Sequence, residues 1–309
     1  MRALETARVE SPTEGRNPRT TEIDVVSTID MLRLLNAEDR MVPDAVAAVL
    51  PALAMVVDIA ADRLSSGGRM HYFGAGTSGR IAVMDAAEVI PTFGVAPGIV
   101  VAHHAGGAGA LERPIENVED SIGLGERDAA AVTGQDVVVA LAASGRTPYA
   151  EGALRAGRAV GAFTVLVSSN PVASLAPLAD VHIAVDTGPE AIAGSTRLKA
   201  ATAQKMVLNC LSTAVMVRCG RTYSNLMVEV AATNAKLRGR LLTILAAATG
   251  ADADKCEEAL AASDGELKTA IVCLLTGATP AGARQALQSA EGHTRAAVGA
   301  LAVDSVVVE

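Results

Sequence analysis

The chain has 309 residues, enough for one large or two small domains with a sizeable core. Half of it is apolar and 19% is charged, the balance of a globular protein and not of a disordered, collagenous or disulfide-stapled one. With three Tyr, three Phe, no Trp and a net charge of -8, it lacks the stacking platforms and basic groove of a single-strand nucleic-acid binder.

In chain order, the first twenty residues are polar and carry Pro12 and Pro18, which reads as an arm without its own core. Their charges leave no room for a secretory signal. A helical pattern runs from Thr21 to about Leu64, with a second helix starting near Pro43-Asp44 and stopped at Ser65–Gly68. Pro51 and Asp58 interrupt its apolar stretches, so no transmembrane helix is expected. MHYFGAG then reads as a strand ending in glycines, and SGRIAVMDAAEVI as a helix stopped by Pro91. GIVVAHH is a second strand, followed by a polar helix from about Ala108 to Leu124. DVVVALAA (136–143) is a continuous apolar run, as a strand buried on both faces requires. A helix follows over about 148–160, and FTVLVSS and VHIAV are further strands. The alternation predicts a parallel sheet covered by helices.

GSTRLKAATAQKMVLNCLSTAVMV (194–217) is the strongest helix, with Ser195 and Thr196 marking its start and Gly220 past its end. From about Leu241 no strand is visible. Ser263 and Glu266 have capping-box spacing, and Thr279-Pro280 marks another helix start. The expected division is therefore 1–240 and a small helical domain over 241–309. Cys210, Cys219, Cys256 and Cys273 form no C-x-x-C pair and read as buried thiols of a reduced, cytoplasmic chain. No His, Cys or Asp spacing, His103-His104 included, resembles a zinc site.

One echo stands out. Ser78-Gly79-Arg80 and Ser144-Gly145-Arg146 each follow the carboxyl end of a strand, where open α/β sheets bind ligands. Gly74–Gly79 matches G-x-G-x-x-G, but no Asp or Glu occurs from Val89 to Leu111 to hold a ribose, which argues against a dinucleotide. The Gly-Lys-Ser/Thr of a nucleotide P-loop is also missing. What remains is Gly76, Thr77 and Ser78 at one helix start and Ser144 and Thr147 at another, a setting suited to one phosphate on a small molecule. Helix capping by the same hydroxyls is the competing reading.

Glu88 lies among Ile81, Val83, Met84 and Ile90, one turn beyond Asp85. Partial desolvation there would favour its protonated form, as a general acid needs; a solvated helix end is the alternative. Glu112, Glu116 and Glu119 are spaced to share a helical face, with Asp120 close by. Such a cluster is equally compatible with plain surface.

FGAGTSGRIAVMDAAEVIPTFG (73–94), ALAASGRTPYAEG (140–152), PEAIAGSTRLKAATAQKMVLN (189–209) and NLMVEVAATNAKL (225–237) closely resemble the N-acetylmuramic acid 6-phosphate etherases, as do TEGRNPRTTEID and STIDMLRLLNAED near the start. The resemblance implies a flavodoxin-like sugar isomerase (SIS) domain, then a small helical domain similar to ubiquitin-associated modules. It also implies a homodimer needing no metal or cofactor. Its small-molecule substrate would be a phosphosugar, whose lactyl ether is cleaved to N-acetylglucosamine 6-phosphate and D-lactate. The family's acid motif Asp-Ala-Ser-Glu-Cys-Pro-Pro-Thr corresponds to Asp85–Thr92, which carries the acid to Glu88. Its Glu-Gly-Ala-Glu-Asp motif corresponds to Glu116–Asp120, which carries the second carboxylate, the base, to Glu119. Ala87, Val89, Ile90 and Asn117 depart from the motifs, Asn117 standing where the family has glycine. Gly76, Thr77, Ser78, Gly79, Ser144, Gly145, Arg146 and Thr147 are the expected phosphate-binding set. An aldose–ketose phosphosugar isomerase and a non-catalytic sensor, as in glucokinase regulatory proteins, are the rivals; the presence of both Glu88 and Glu119 favours the enzyme. Neither nucleic acid nor membrane is an expected partner.

Overall fold

A computed structural model describes residues 11–113, 115–230 and 235–306. The first half of the polar arm, Pro114 within the helix expected over 108–124, and four residues of the motif at 225–237 lie outside the described residues. The chain divides into two compact units: Met1–Ala86 with Gly98–Ser212, and Ala87–Pro97 with Thr213–Glu309. These units differ from a division at 241, because residues 87–97 and 213–240 cluster with the C-terminal helices.

In the first unit, α1 (Thr28–Asp39) and α2 (Val42–Ser65) precede β1 (Met70–Gly74) and the part of α3 (Gly76–Phe93) up to Ala86. Next come β2 (Val100–His104), the short α4 (Gly109–Glu112), α5 (Ile122–Asp128), β3 (Val137–Leu141) and α6 (Pro148–Ala159). β4 (Phe163–Ser168), β5 (Val181–Ala184) and α7 (Lys199–Arg218) complete the series. The five strands are all parallel in the order β2-β1-β3-β4-β5, the flavodoxin-like arrangement. Every residue of β1 and β3 is buried, which is why both read as unbroken runs. Each buried Val or Leu of β3 contributes roughly 1.5–3 kcal/mol, an upper estimate.

By length and composition alone the α1–α2 stretch could cross a membrane, contrary to the sequence expectation. Within the unit α2 buries Val46, Leu53, Val56 and Ala60 and packs beside β5, although only about a third of the apolar window is buried. The arm is also more firmly held than expected: Thr13, Asn17 and Thr20 are buried. Asn17 donates to Glu38 and to the Pro189 carbonyl, and Thr20 to the Ala191 carbonyl. Glu38 in turn accepts from Arg19 and from the fully buried Lys199 Nζ at 2.7 Å.

Three boundaries differ from the sequence reading for identifiable reasons. α3 runs through Pro91 and ends at Gly94, whose φ of +59° terminates it. The Glu88 carbonyl accepts from the Thr92 hydroxyl at 2.7 Å. α7 begins at Lys199 rather than near Ser195, because the Glu190 carboxylate accepts the Lys199 and Ala200 N–H groups, each at 2.9 Å. A cap supplied from nine residues upstream leaves no local signal. The helix expected over 108–124 is instead α4, an irregular stretch and α5.

In the second unit a two-residue antiparallel pair, β6 (Thr222–Tyr223) and β7 (Leu226–Met227), precedes five helices. These are α8 (Ala235–Thr249), α9 (Ala253–Ala262), α10 (Leu267–Thr276), α11 (Pro280–Ser289) and α12 (Thr294–Val306). Leu241, Leu245, Cys256, Leu260 and Ile271 form their main core. Thr279 caps α11 as read, accepting from Gly282 N–H. The Ser263–Glu266 box does not form: Ser263 ends α9, and Glu266 accepts from Thr269 and Arg284 instead. The four cysteines are free, but Cys256 alone is buried; Cys210 is exposed, and Cys219 and Cys273 are partly so.

Candidate functional site: a phosphosugar cavity at the sheet edge

In this strand order the chain reverses direction between β1 and β3, and the loops after these two strands flank a crevice. After β1, Gly74 and Gly79 bring the strand end against the first turn of α3. A Cβ on Gly74 would lie 2.7 Å from the Gly79 nitrogen. Gly76 turns the chain at φ +53°. The imidazole of His104 lies behind this loop, with Nε2 3.2 Å from the Gly76 carbonyl and Nδ1 2.9 Å from that of Ala105.

After β3, Gly145 adopts φ +69° with Ala173 packed where a Cβ would project. Asn170 donates to the Ser144 carbonyl and the Leu175 N–H to that of Gly145. The turn is therefore fixed through backbone groups, which leaves the Ser144 hydroxyl uncommitted. Thr147 occupies the N-cap of α6 yet makes no side-chain cap bond, so the capping reading fails for it.

Between the two loops lies a cavity of about 570 Å³. Gly76, Thr77, Ser78, Ser144, Arg146 and Thr147 all line it, and so does Glu119. Gly79 and Gly145 shape the loops without lining the cavity. The N-terminus of α3 and the four hydroxyls of the two loops form a donor set of the kind an anion requires; at α6 Pro148 has no N–H and that of Tyr149 is taken by Glu119, so there the hydroxyls carry the role.

Glu119 reaches the wall from the irregular stretch between α4 and α5. Its carbonyl accepts the Tyr149 N–H at 2.9 Å, and Asn117, two residues before it, has φ +64°. The glycine that the resemblance implies for this position would take the same backbone path without strain. Asn is among the few side chains that tolerate the left-handed region, so the substitution keeps the backbone path. Asp120 lines the same cavity, but Glu112 does not, and the shared helical face expected of the acidic cluster is absent.

Glu88 is exposed and falls in the second compact unit. The desolvated carboxyl of α3 is Asp85: it is 7% exposed, accepts from Tyr72 Oη at 3.0 Å and Ser212 Oγ at 3.1 Å, and burial raises its pKa. The expectation of a partly desolvated Glu88 is thus corrected; α3 turns Asp85 inward and Glu88 outward.

The cavity is also lined by Glu14 from the arm, not singled out in the sequence, and by Thr196 from the stretch before α7, read there only as a helix start. The Gly194 N–H donates to the Thr13 carbonyl, which ties these segments together. Their signal was the TEGRNP motif, which has no chemistry until it is folded against residues 189–196. His103 stacks on Phe73 with ring centroids 4.3 Å apart and faces His71 Nδ1 at 3.0 Å. Burial lowers both imidazoles, His103 to about 4. Among the described residues no cluster of His, Cys, Asp and Glu could hold a metal ion.

Parallel sheet, strand order and hydroxyl-rich edge define a sugar isomerase (SIS) domain. The SIS domain family matches residues 110–214, and the glucokinase regulatory protein N-terminal SIS domain matches residues 52–158. A solved phosphoheptose isomerase from Francisella tularensis shares this fold at TM-score 0.51 and 16% identity, covering 62% of this chain and 100% of that one. An N-acetylmuramic acid 6-phosphate etherase of Thermobifida fusca (strain YX) is 60% identical over 87% of this chain and 88% of its own. One from Yersinia pestis (strain Pestoides F) is 52% identical over 92% and 97%. The chain belongs to the N-acetylmuramic acid 6-phosphate etherase family.

Proposed function

We propose that the chain cleaves the D-lactyl ether of N-acetylmuramic acid 6-phosphate, giving N-acetylglucosamine 6-phosphate and D-lactate. The observation that carries this reading is Glu119 on the wall of a cavity also lined by the hydroxyl loops after β1 and β3. The phosphate sits on Ser78, Ser144, Thr147 and the neighbouring N–H groups, which fixes the sugar relative to Glu119.

The ether oxygen on C3 is a poor leaving group. Opening the sugar ring exposes an aldehyde at C1 and makes the C2 proton removable. Glu119 takes that proton, the C3–O bond breaks to leave an unsaturated aldehyde, and an acid protonates the departing lactate oxygen. Water then adds at C3. Each proton transfer by a placed group accounts for roughly 10²–10⁴-fold. Glu88 is assigned as the acid on its motif. Its exposure means that exclusion of water there would have to come from the bound substrate.

The working form is a homodimer in the cytoplasm. Supporting the first point, Ile29, Leu32, Leu50 and Met55 leave apolar surface on α1 and α2, each 46–56% exposed. Supporting the second, the four thiols are free. The helices over 241–309 are read as similar to ubiquitin-associated modules, with residues such as Val228 from before 241 contributing to their core. The sensor reading draws on a match to residues 52–158, whereas the etherase relatives align over most of the chain and keep the enzyme reading ahead. Purified protein given N-acetylmuramic acid 6-phosphate should release D-lactate and N-acetylglucosamine 6-phosphate. Binding without lactate release would favour the sensor, and a ketose product the isomerase.

A further inference from the structure

Beside the phosphosugar cavity lies a second pocket of about 210 Å³. It shares Ala75, Gly76 and Glu119 with the larger one, so the two meet at the proposed base. Whole small molecules occupy sites of about 300–1,000 Å³; the larger cavity falls in that range and the smaller below it, at the size of a substituent.

Its lining is specific. Ala105, Ala110, Ile115 and Val118 supply apolar wall. Gly106, at φ +85°, has no side chain where Ile115 Cδ1 and Val118 Cγ1 approach, at 3.4 and 3.5 Å from the place of a Cβ. Ile115 is 44% exposed, an apolar side chain without a full complement of neighbours at the pocket wall. The rest of the wall is polar: Arg80 directs Nε and Nη2 to the carbonyls of Leu111 and Ala110, and His104, Glu116, Asn117 and Glu119 complete the lining. A small apolar group attached to an amide matches this combination.

We propose that this pocket receives the acetamido group on C2 of the sugar, with the acetyl methyl against Ile115 and Val118. The inference rests on the reading of Glu119 as the base that takes the C2 proton. The acetamido nitrogen is bonded to C2 itself, so the acetyl group must lie beside whichever carboxylate removes that proton. The pocket is on that side of the cavity and has the matching polarity. Selection for N-acetylated phosphosugars therefore resides in the stretch from Ala105 to Glu119, separate from the hydroxyl loops that hold phosphate.

Titration calorimetry with N-acetylglucosamine 6-phosphate and glucose 6-phosphate, which differ at C2, tests this. The unmodified protein should prefer the acetylated sugar by at least about 10-fold. Ile115→Ala, at a position 44% exposed, should weaken the acetylated sugar by about 3- to 10-fold, the effect of a few lost apolar contacts. It should leave glucose 6-phosphate unchanged; Val118→Ala should do the same. An unchanged preference in both variants, or equal weakening of both sugars, would overturn the assignment. If neither sugar phosphate binds the unmodified protein, the phosphosugar reading beneath it fails as well.

Discussion

The N–H of Tyr149 donates to the carbonyl of Glu119 at 2.9 Å. That one bond ties the proposed base to the helix whose first turn, Thr147-Pro148, lines the same cavity. The tie is reinforced below. Tyr149 Oη donates to Asp128 on α5 at 2.9 Å, and α5 and α6 touch through glycines. A Cβ on Gly152 would overlap the Ile122 carbonyl, and one on Gly125 the Tyr149 carbonyl.

Gly152→Ala should therefore cost stability although alanine is the better helix former. A contact that neither backbone can relieve costs roughly 1–3 kcal/mol. Gly123→Ala, on the same α5 with open space around it, should be neutral or stabilising by up to about 1 kcal/mol. Urea unfolding of the two variants checks the contrast; equal behaviour would mean that the helices separate freely.

Asn117 makes a prediction about backbone alone. Asn117→Gly should retain kcat, because glycine adopts φ +64° without strain; loss of the side chain from the smaller pocket would show in substrate binding instead. Asn117→Val forces a β-branched residue into the left-handed region at about 1–2 kcal/mol, and the cheapest relief is a shift of the stretch bearing Glu119. Loss of kcat in the valine variant with the glycine variant intact is the expected pattern.

This site shows where sequence reading succeeds. The hydroxyl loops were legible because a strand, a glycine turn and a helix start are all local features. Glu119 was proposed from its motif and lines the cavity, but the helical face read from the spacing of the acidic cluster is absent, because the chain there is irregular. Pro114, which cannot sit in a helix interior, was the available signal against it. The inward turn of Asp85 rather than Glu88 depends on Tyr72 and Ser212 from distant segments, and the Glu190 cap of α7 on a residue outside the helix. No window of sequence contains those partners.

Ser144→Ala should weaken phosphosugar binding by roughly 10- to 150-fold, from the ~1.5–3 kcal/mol of a hydrogen bond to a charged group. Its melting temperature should hold, because the turn is fixed by the Ser144 carbonyl and not by its hydroxyl. Unchanged affinity with a lowered melting temperature would return Ser144 to a structural role.

The buried carboxylate Glu38 sets an acid limit. The Arg19 guanidinium, aided by Lys199 and Asn17 against the opposing effect of burial, holds its pKa at about 2 instead of 4.5. A carboxyl depressed on folding binds fewer protons folded than unfolded. Its contribution, on the order of 3 kcal/mol, is complete above about pH 4.5 and is lost as pH falls toward about 2. Glu38→Gln should flatten that stretch of the stability–pH curve. It should also cost roughly 3–5 kcal/mol at neutral pH by leaving Lys199 buried without its partner. Chemical unfolding across pH 2–6 reads both effects.

The central claim is that Glu119 removes the C2 proton of a sugar anchored by the two hydroxyl loops. Turnover of N-acetylmuramic acid 6-phosphate in deuterated, ¹⁸O-labelled water tests it most directly. The account predicts N-acetylglucosamine 6-phosphate with deuterium at C2 and solvent oxygen on C3. It also predicts that Glu119→Gln slows C2 exchange and lactate release together by on the order of 10²-fold or more. Product that keeps its original C2 hydrogen, or a Glu119→Gln variant that exchanges at the unmodified rate, would contradict it.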